Sequence, residues 1–138
     1  MKIFQLPDSS LKIDWSWISS LEKILRQKFK LKQAVSLALV SQVEMRKLNN
    51  HYRHKDKTTD VLAFKLTDQQ SLPQQPLGEI VICWPQLKKQ ARENGNSLKD
   101  ELRLLTVHGT LHLLGYEHQT KSQTAAMKKE ETYLLNKI

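Results

Sequence analysis

This chain has little of what small proteins use in place of a hydrophobic core: one cysteine, four glycines and four prolines among 138 residues. With a single cysteine, Cys83, an internal disulfide framework is excluded, and the usage suits a reducing, cytoplasmic compartment. Cys83 lies in an apolar run and reads as a small core residue, not a nucleophile. No apolar stretch approaches the roughly 20 residues that cross a bilayer, and residues 1–8 carry no signal-peptide core, so no membrane partner is expected. Acid is the other shortage. Asp and Glu number 14 against 22 Lys and Arg, a formal net charge of +8. A basic domain attracts polyanions, of which RNA and DNA are the usual ones. The excess is clustered: Arg26, Lys28, Lys30 and Lys32; then Arg53, Lys55 and Lys57; then Lys88, Lys89 and Arg92. A merely solvated basic surface is the alternative, and composition does not choose between them.

At this length one domain over residues 1–138 is expected, with a core that needs no staples. Residues 1–6 read as a short edge strand. Trp15, Ile18, Leu21, Ile24, Leu25 and Phe29 recur at helical spacing and predict a helix over about 14–30, capped by Asp14 or Ser16. A buried strand follows at 34–40. Ser41 and Glu44 fit a capping box for a helix to about Tyr52, with Met45, Leu48 and Tyr52 facing the core. Residues 61–66 and 78–84 read as strands that pair across a polar loop at 67–76. Pro85 opens a helix that Asn94, Gly95 and Asn96 break. Ser97 and Asp100 then cap the longest helix, with Leu98, Leu102 and Leu105 on its inner side and its end at Gly115. A last helix spans about 122–135. The order predicts an α+β fold: a small mixed sheet of about four strands with about five helices packed on it. Trp15, Trp17 and Trp84 read as core residues ahead of a base-stacking platform.

The long helix carries the chemistry. His108, His112 and His118 are spaced H-x3-H-x5-H. Residues four apart share one helical face, so His108 and His112 can offer their rings to one point. A continuing helix would carry His118 over half a turn away, at about 100° per residue. Gly115 can end the helix in the left-handed conformation and return the third ring. Three imidazoles in a leucine-rich setting form a site for one divalent metal, most often zinc, with a position left open. Nickel, cobalt and iron suit the same ligands. The spacing H-x-x-x-H-x-x-G-x-x-H also occurs in metzincin proteases, whose second position is a glutamate serving as general base. Here that position is Gly109, which cannot take a proton from water, so the motif argues against a zinc protease and the base stays unassigned.

The segment His108-Gly109-x-Leu111-His112-Leu113-x-Gly115-Tyr116-x-His118 resembles the signature of the YbeY family, bacterial metal-dependent endoribonucleases of ribosomal RNA maturation. Leu48-Asn49-x-x-Tyr52-Arg53-x-x-Asp56-Lys57-x-Thr59-Asp60-Val61-Leu62-x-Phe64 follows the family's upstream block, and Leu77-Gly78-Glu79-Ile80 its middle block. The departures are Glu117 and Glu79 where aspartate is usual, Thr58 and Lys65 where proline is common, and Ala63 where serine is. None falls on an expected ligand.

The resemblance implies a single-strand-specific endoribonuclease acting in 16S rRNA 3′-end maturation and ribosome quality control. It also implies a catalytic role for Arg53, whose planar guanidinium can hold two phosphate oxygens. The ribosomal small subunit and an assembly GTPase are the partners it suggests. His51 and His54 read as surface or phosphate-contacting residues. Asp60 reads equally as a group that pins a loop or ligand ring and as a strand cap. Two alternatives stand beside the nuclease. One is a non-catalytic RNA- or ribosome-binding factor with a structural metal; the other is a metallohydrolase of a different phosphoester.

Overall fold

A computed structural model describes residues 4–5, 12–53, 59–67 and 72–138, with Gln5 and Arg53 described by their backbone alone. The elements in chain order are β1 (Phe4–Gln5), α1 (Trp17–Lys28), β2 (Val35–Val40), α2 (Gln42–Arg53), β3 (Val61–Lys65), β4 (Gly78–Cys83), α3 (Trp84–Asn94), α4 (Leu98–Leu113) and α5 (Lys121–Lys137). The sheet runs β1-β2-β4-β3. β1 and β4 flank β2 in parallel, and β3 pairs antiparallel to β4 in the register Val61 to Ile82 through Lys65 to Gly78. The expected mixed α+β class holds. Its four strands are three full ones and the two-residue β1 at the edge.

Side chains alternate across a strand, and β4 shows what that achieves. Ile80 and Ile82 point into the larger core, beneath α1, α4 and α5, whereas Val81 and Cys83 point into a smaller one with Met45 of α2. β4 is therefore covered on both faces, which is why residues 80–83 are all apolar and all buried. Trp17 is buried and donates its indole N–H to the Asp14 carbonyl at 2.9 Å, while Trp15 and Trp84 pack against the same core. The three indoles thus serve packing, as expected. Cys83 is fully buried, and burial pushes its thiol pKa up.

Two of the expected helix caps form, whereas at α1 Ser16 holds the N-cap position without a side-chain capping bond and Asp14 accepts from the Ser16 N–H ahead of the helix. Ser97 accepts from the Asp100 N–H at 3.0 Å at the start of α4, and Ser41 accepts from the Glu44 N–H at 3.2 Å at the start of α2. Thr120 and Gln123 form a complete capping box on α5. α3 ends at Gly95 in the left-handed region (φ 68°). Two expectations about facing fail. Leu98 is 45% exposed, because it is the first residue of α4 and precedes the turn in which Leu102 and Leu105 reach the core. Tyr52 is 58% exposed. The last turn of α2 has the edge strand beneath it, so Tyr52 lies on Phe64 with ring centroids 4.8 Å apart and keeps much of its surface in solvent. Residues 68–71 of the expected loop fall outside the described part. Among the described residues no helix is long and apolar enough to cross a membrane.

Two glycines let α4 lie close to the sheet. A Cβ on Gly109 would stand 3.0 Å from Ile80 Cγ2, and one on Gly78 would meet the Phe64 carbonyl and stand 2.7 Å from Leu113 Cδ2. Gly78→Ala should therefore lower stability by about 1–3 kcal/mol, as overpacking against backbone does. A denaturant midpoint equal to that of the parent would contradict the close approach. Cys83 should react with a thiol reagent only after unfolding, and rapid stoichiometric labelling of the native chain would show that it is not core.

Candidate metal centre

α4 carries His108 and His112 one turn apart, and their Nε2 atoms face each other at 3.1 Å. The helix then stops in a Schellman arrangement. The Gly115 N–H donates to the His112 carbonyl and the Tyr116 N–H to the Leu111 carbonyl, both at 3.0 Å, with Gly115 at φ +98°. This reversal brings the chain back over α4. The His118 ring lies 5.8 Å from that of His108 and 5.1 Å from that of His112, centroid to centroid. One nitrogen from each ring lies within 4.8 Å of the other two, so the three could together hold a metal ion. The structure thus brings together all three histidines that the spacing singled out. Among the described residues, no other group of His, Cys, Asp or Glu does so.

The outer nitrogens have partners of their own. His112 Nδ1 is 3.1 Å from the Tyr116 carbonyl oxygen, and His108 Nδ1 is 3.2 Å from Glu131 Oε2, brought in by α5. A carbonyl can only accept, so His112 carries its proton on Nδ1 and presents a lone pair at Nε2. A carboxylate imposes the same tautomer on His108. Two lone pairs then converge at 3.1 Å. That arrangement is repulsive unless a cation lies between them. A proton could bridge one pair; a metal ion serves three rings. Tetrahedral zinc with Zn–N distances of 2.0–2.1 Å would set neighbouring nitrogens about 3.3 Å apart. The α4 pair fits that spacing, and His118, which is exposed, has room to close the rest.

The rings line a cleft of about 620 Å³, closed on its other side by Thr59, Asp60, Val61, Ala63 and Lys65. Gly109 also lines it, and a side chain there would start in tight contact with Ile80, so the position that carries the protease's base is here part of the helix–sheet packing. Among the described residues Asp60 caps the start of β3. Its Oδ1 accepts from the Val61 N–H at 2.9 Å and the Thr59 hydroxyl at 3.3 Å, while Glu131 and the Tyr116 carbonyl attend the rings. Glu117 turns toward α5 and accepts from Gln123 Nε2 at 3.4 Å. Tyr116 packs edge-on against Phe29 at 6.5 Å, and desolvation raises its phenol pKa.

Arg53 is the last residue of α2, and its side chain lies outside the described residues, as do His54, Lys55 and Lys57. His51 is exposed, with its ring edge-on to Tyr52 at 4.6 Å. Sequence reasoning missed Glu131. The signal was present: an acid on the same helical stripe as the buried Met127 and Leu134.

The chain is similar to known proteins over most of its length. A family model described as Endoribonuclease YbeY matches residues 5–138. Endoribonuclease YbeY of Nautilia profundicola is 47% identical over 97 residues, covering 70% of this chain and 68% of that protein. Endoribonuclease YbeY of Finegoldia magna is 43% identical over 104 residues, 75% of this chain and 68% of that one. The solution structure of a protein from Thermotoga maritima superposes with a TM-score of 0.65 at 28% identity, covering 99% of this chain and 88% of the other.

Gly115→Ala tests the turn. A left-handed non-glycine residue costs roughly 1–2 kcal/mol, so the midpoint of unfolding should fall accordingly, and divalent-metal affinity should drop as the Tyr116 carbonyl and His118 shift. A variant with parental stability and affinity would show that the φ of +98° is not required.

Proposed function

Since the chain belongs to the family described as Endoribonuclease YbeY, we propose that it is a metal-dependent endoribonuclease that cuts single-stranded RNA, with zinc held by His108, His112 and His118. The observation that carries the reading is the pair of Nε2 atoms 3.1 Å apart, with each outer nitrogen beside an acceptor, so that the tautomers this favours turn two lone pairs toward one point. A cation is what such a donor set is built to receive. When bound there, zinc supplies Lewis acidity, polarising a phosphate oxygen and lowering the pKa of water.

The chain's own residues do the rest. The cleft admits a strand against the rings, and Lys65 at its rim offers a positive charge to the phosphate backbone. The net charge of +8 speeds encounter with a polyanion and makes binding salt-dependent. Arg53 is proposed as the catalytic cation that clamps two oxygens of the scissile phosphate. Support for that role comes from its place in the upstream block and at the end of α2, close in sequence to the cleft residues Thr59 to Val61. The proposed biological task is maturation of the 16S rRNA 3′ end and ribosome quality control in the cytoplasm. The small subunit and an assembly GTPase are the proposed partners, on family resemblance.

Zinc-loaded protein should cleave single-stranded RNA and leave DNA and small phosphodiesters largely intact. His112→Ala should lose both metal and cleavage, which also controls for contaminating ribonuclease. Arg53→Glu should keep its metal and lose at least about 10²-fold in rate, as loss of a charge-stabilising group does. Full cleavage by His112→Ala would overturn the assignment. RNA binding without cleavage by any form would favour an assembly factor with a structural metal, and turnover of small phosphoesters a different hydrolase.

A further inference from the structure

Glu131 is a carboxylate the proposed chemistry does not call on, and its burial needs a reason. It is 8% exposed, on the α5 stripe that also buries Met127 and Leu134. A charge removed from water is destabilising by several kcal/mol unless partners compensate. Its partners are His108 Nδ1 at 3.2 Å from Oε2, and Lys128 Nζ at 3.5 Å from Oε1, a largely exposed lysine one turn earlier. Among the described residues, the imidazole is the partner that another element brings to it.

The ligand set adds a second consideration. Three neutral imidazoles bring no charge to balance a divalent cation, in a chain whose net charge is already +8. Glu131 is an anion one ring away from that point. The two α4 ligands also differ in what orients them. His112 is fixed by a backbone carbonyl that the Gly115 turn delivers, whereas His108 depends on a side chain from a separate helix. That helix is itself fastened. Arg103 donates to the Leu135 carbonyl at 3.0 Å and the Ile138 carbonyl at 2.6 Å, and Lys28 pairs with Glu130 at 2.8 Å.

We infer that Glu131 is the positioning residue of the metal centre: by accepting from His108 Nδ1 it sets that ring's tautomer and angle and supplies a counter-charge. The inference rests on the metal-centre reading above. It makes α5 part of the site, not just a cover for α4.

The test is zinc affinity, measured by competition with a chromophoric chelator, on the parent chain, Glu131→Gln and Glu131→Leu, together with thermal unfolding of each metal-free form. Losing the partner that orients a metal-binding histidine weakens affinity about 10–100-fold, and Glu131→Leu should fall in that range. Its metal-free form should unfold close to the parent, since the loss of an acceptor for the half-exposed His108 ring is offset by no longer burying a charge. Glu131→Gln keeps an acceptor but not the charge, and should fall between parent and leucine variant. A residue with only a structural role would instead lower the metal-free unfolding temperature and leave the zinc constant unmoved. If Glu131→Leu does not fold, by circular dichroism, Glu131→Gln decides: weakening of about threefold or more supports the inference, and an unchanged constant overturns it. Zinc bound by the parent with equal affinity in both variants removes this inference alone. A parent that binds no zinc removes the metal-centre reading along with it.

Discussion

Two imidazole nitrogens with converging lone pairs 3.1 Å apart are the constraint around which this molecule is arranged. Left alone, such a pair would rotate apart. Here rotation is blocked because each ring is also held from behind, by a backbone carbonyl on one side and a buried carboxylate on the other. The tautomers follow from those acceptors, and the demand for a cation follows from the tautomers. A polar cluster of this kind would be a liability in an ordinary core. It sits instead at the boundary between the larger core and the cleft, where one side is packed and the other is open to a ligand.

The fold supplies each support from a different place. β4, covered on both faces, gives α4 a flat apolar floor, and the absence of a side chain at Gly109 lets the helix settle on Ile80. The turn at Gly115 then does two things at once: it returns His118 and aims the Tyr116 carbonyl at His112. β3, at the edge of the sheet, forms the facing wall of the cleft. A strand of nucleic acid laid in that cleft would pass between the rings and the residues that follow the family's upstream block. The same glycine that opens the packing also rules out a protease-type base, so packing and chemistry point one way.

Much of this was legible in the chain. Capping residues such as Ser97 and Ser41, the helical repeat from Ile18 to Leu25 and the histidine spacing are local signals, and local hydrogen bonds enforce them. What stayed hidden is non-local. Glu131 lies 23 residues from His108, and nothing short-range says that α5 will dock with that carboxylate against that ring. Leu98 and Tyr52 have the right period for burial, but each sits at a helix end where the neighbouring surface stops. Periodicity reports which face is apolar, not how far the partner surface extends. The pairing of β3 with β4 was expected from the loop that joins them, but the parallel pairing of β2 with β4, which leaves β3 at the edge, is set by tertiary packing and had no signature in spacing.

The central claim is that three imidazoles of this chain hold one metal ion and leave a position for substrate or water. X-ray absorption at the zinc edge, on protein loaded with one equivalent, examines that claim at the atom concerned. The account predicts three imidazole nitrogens at about 2.0–2.1 Å and one further light atom, with no sulfur. Fewer than three imidazoles, or a sulfur from Cys83 in the coordination sphere, would contradict it.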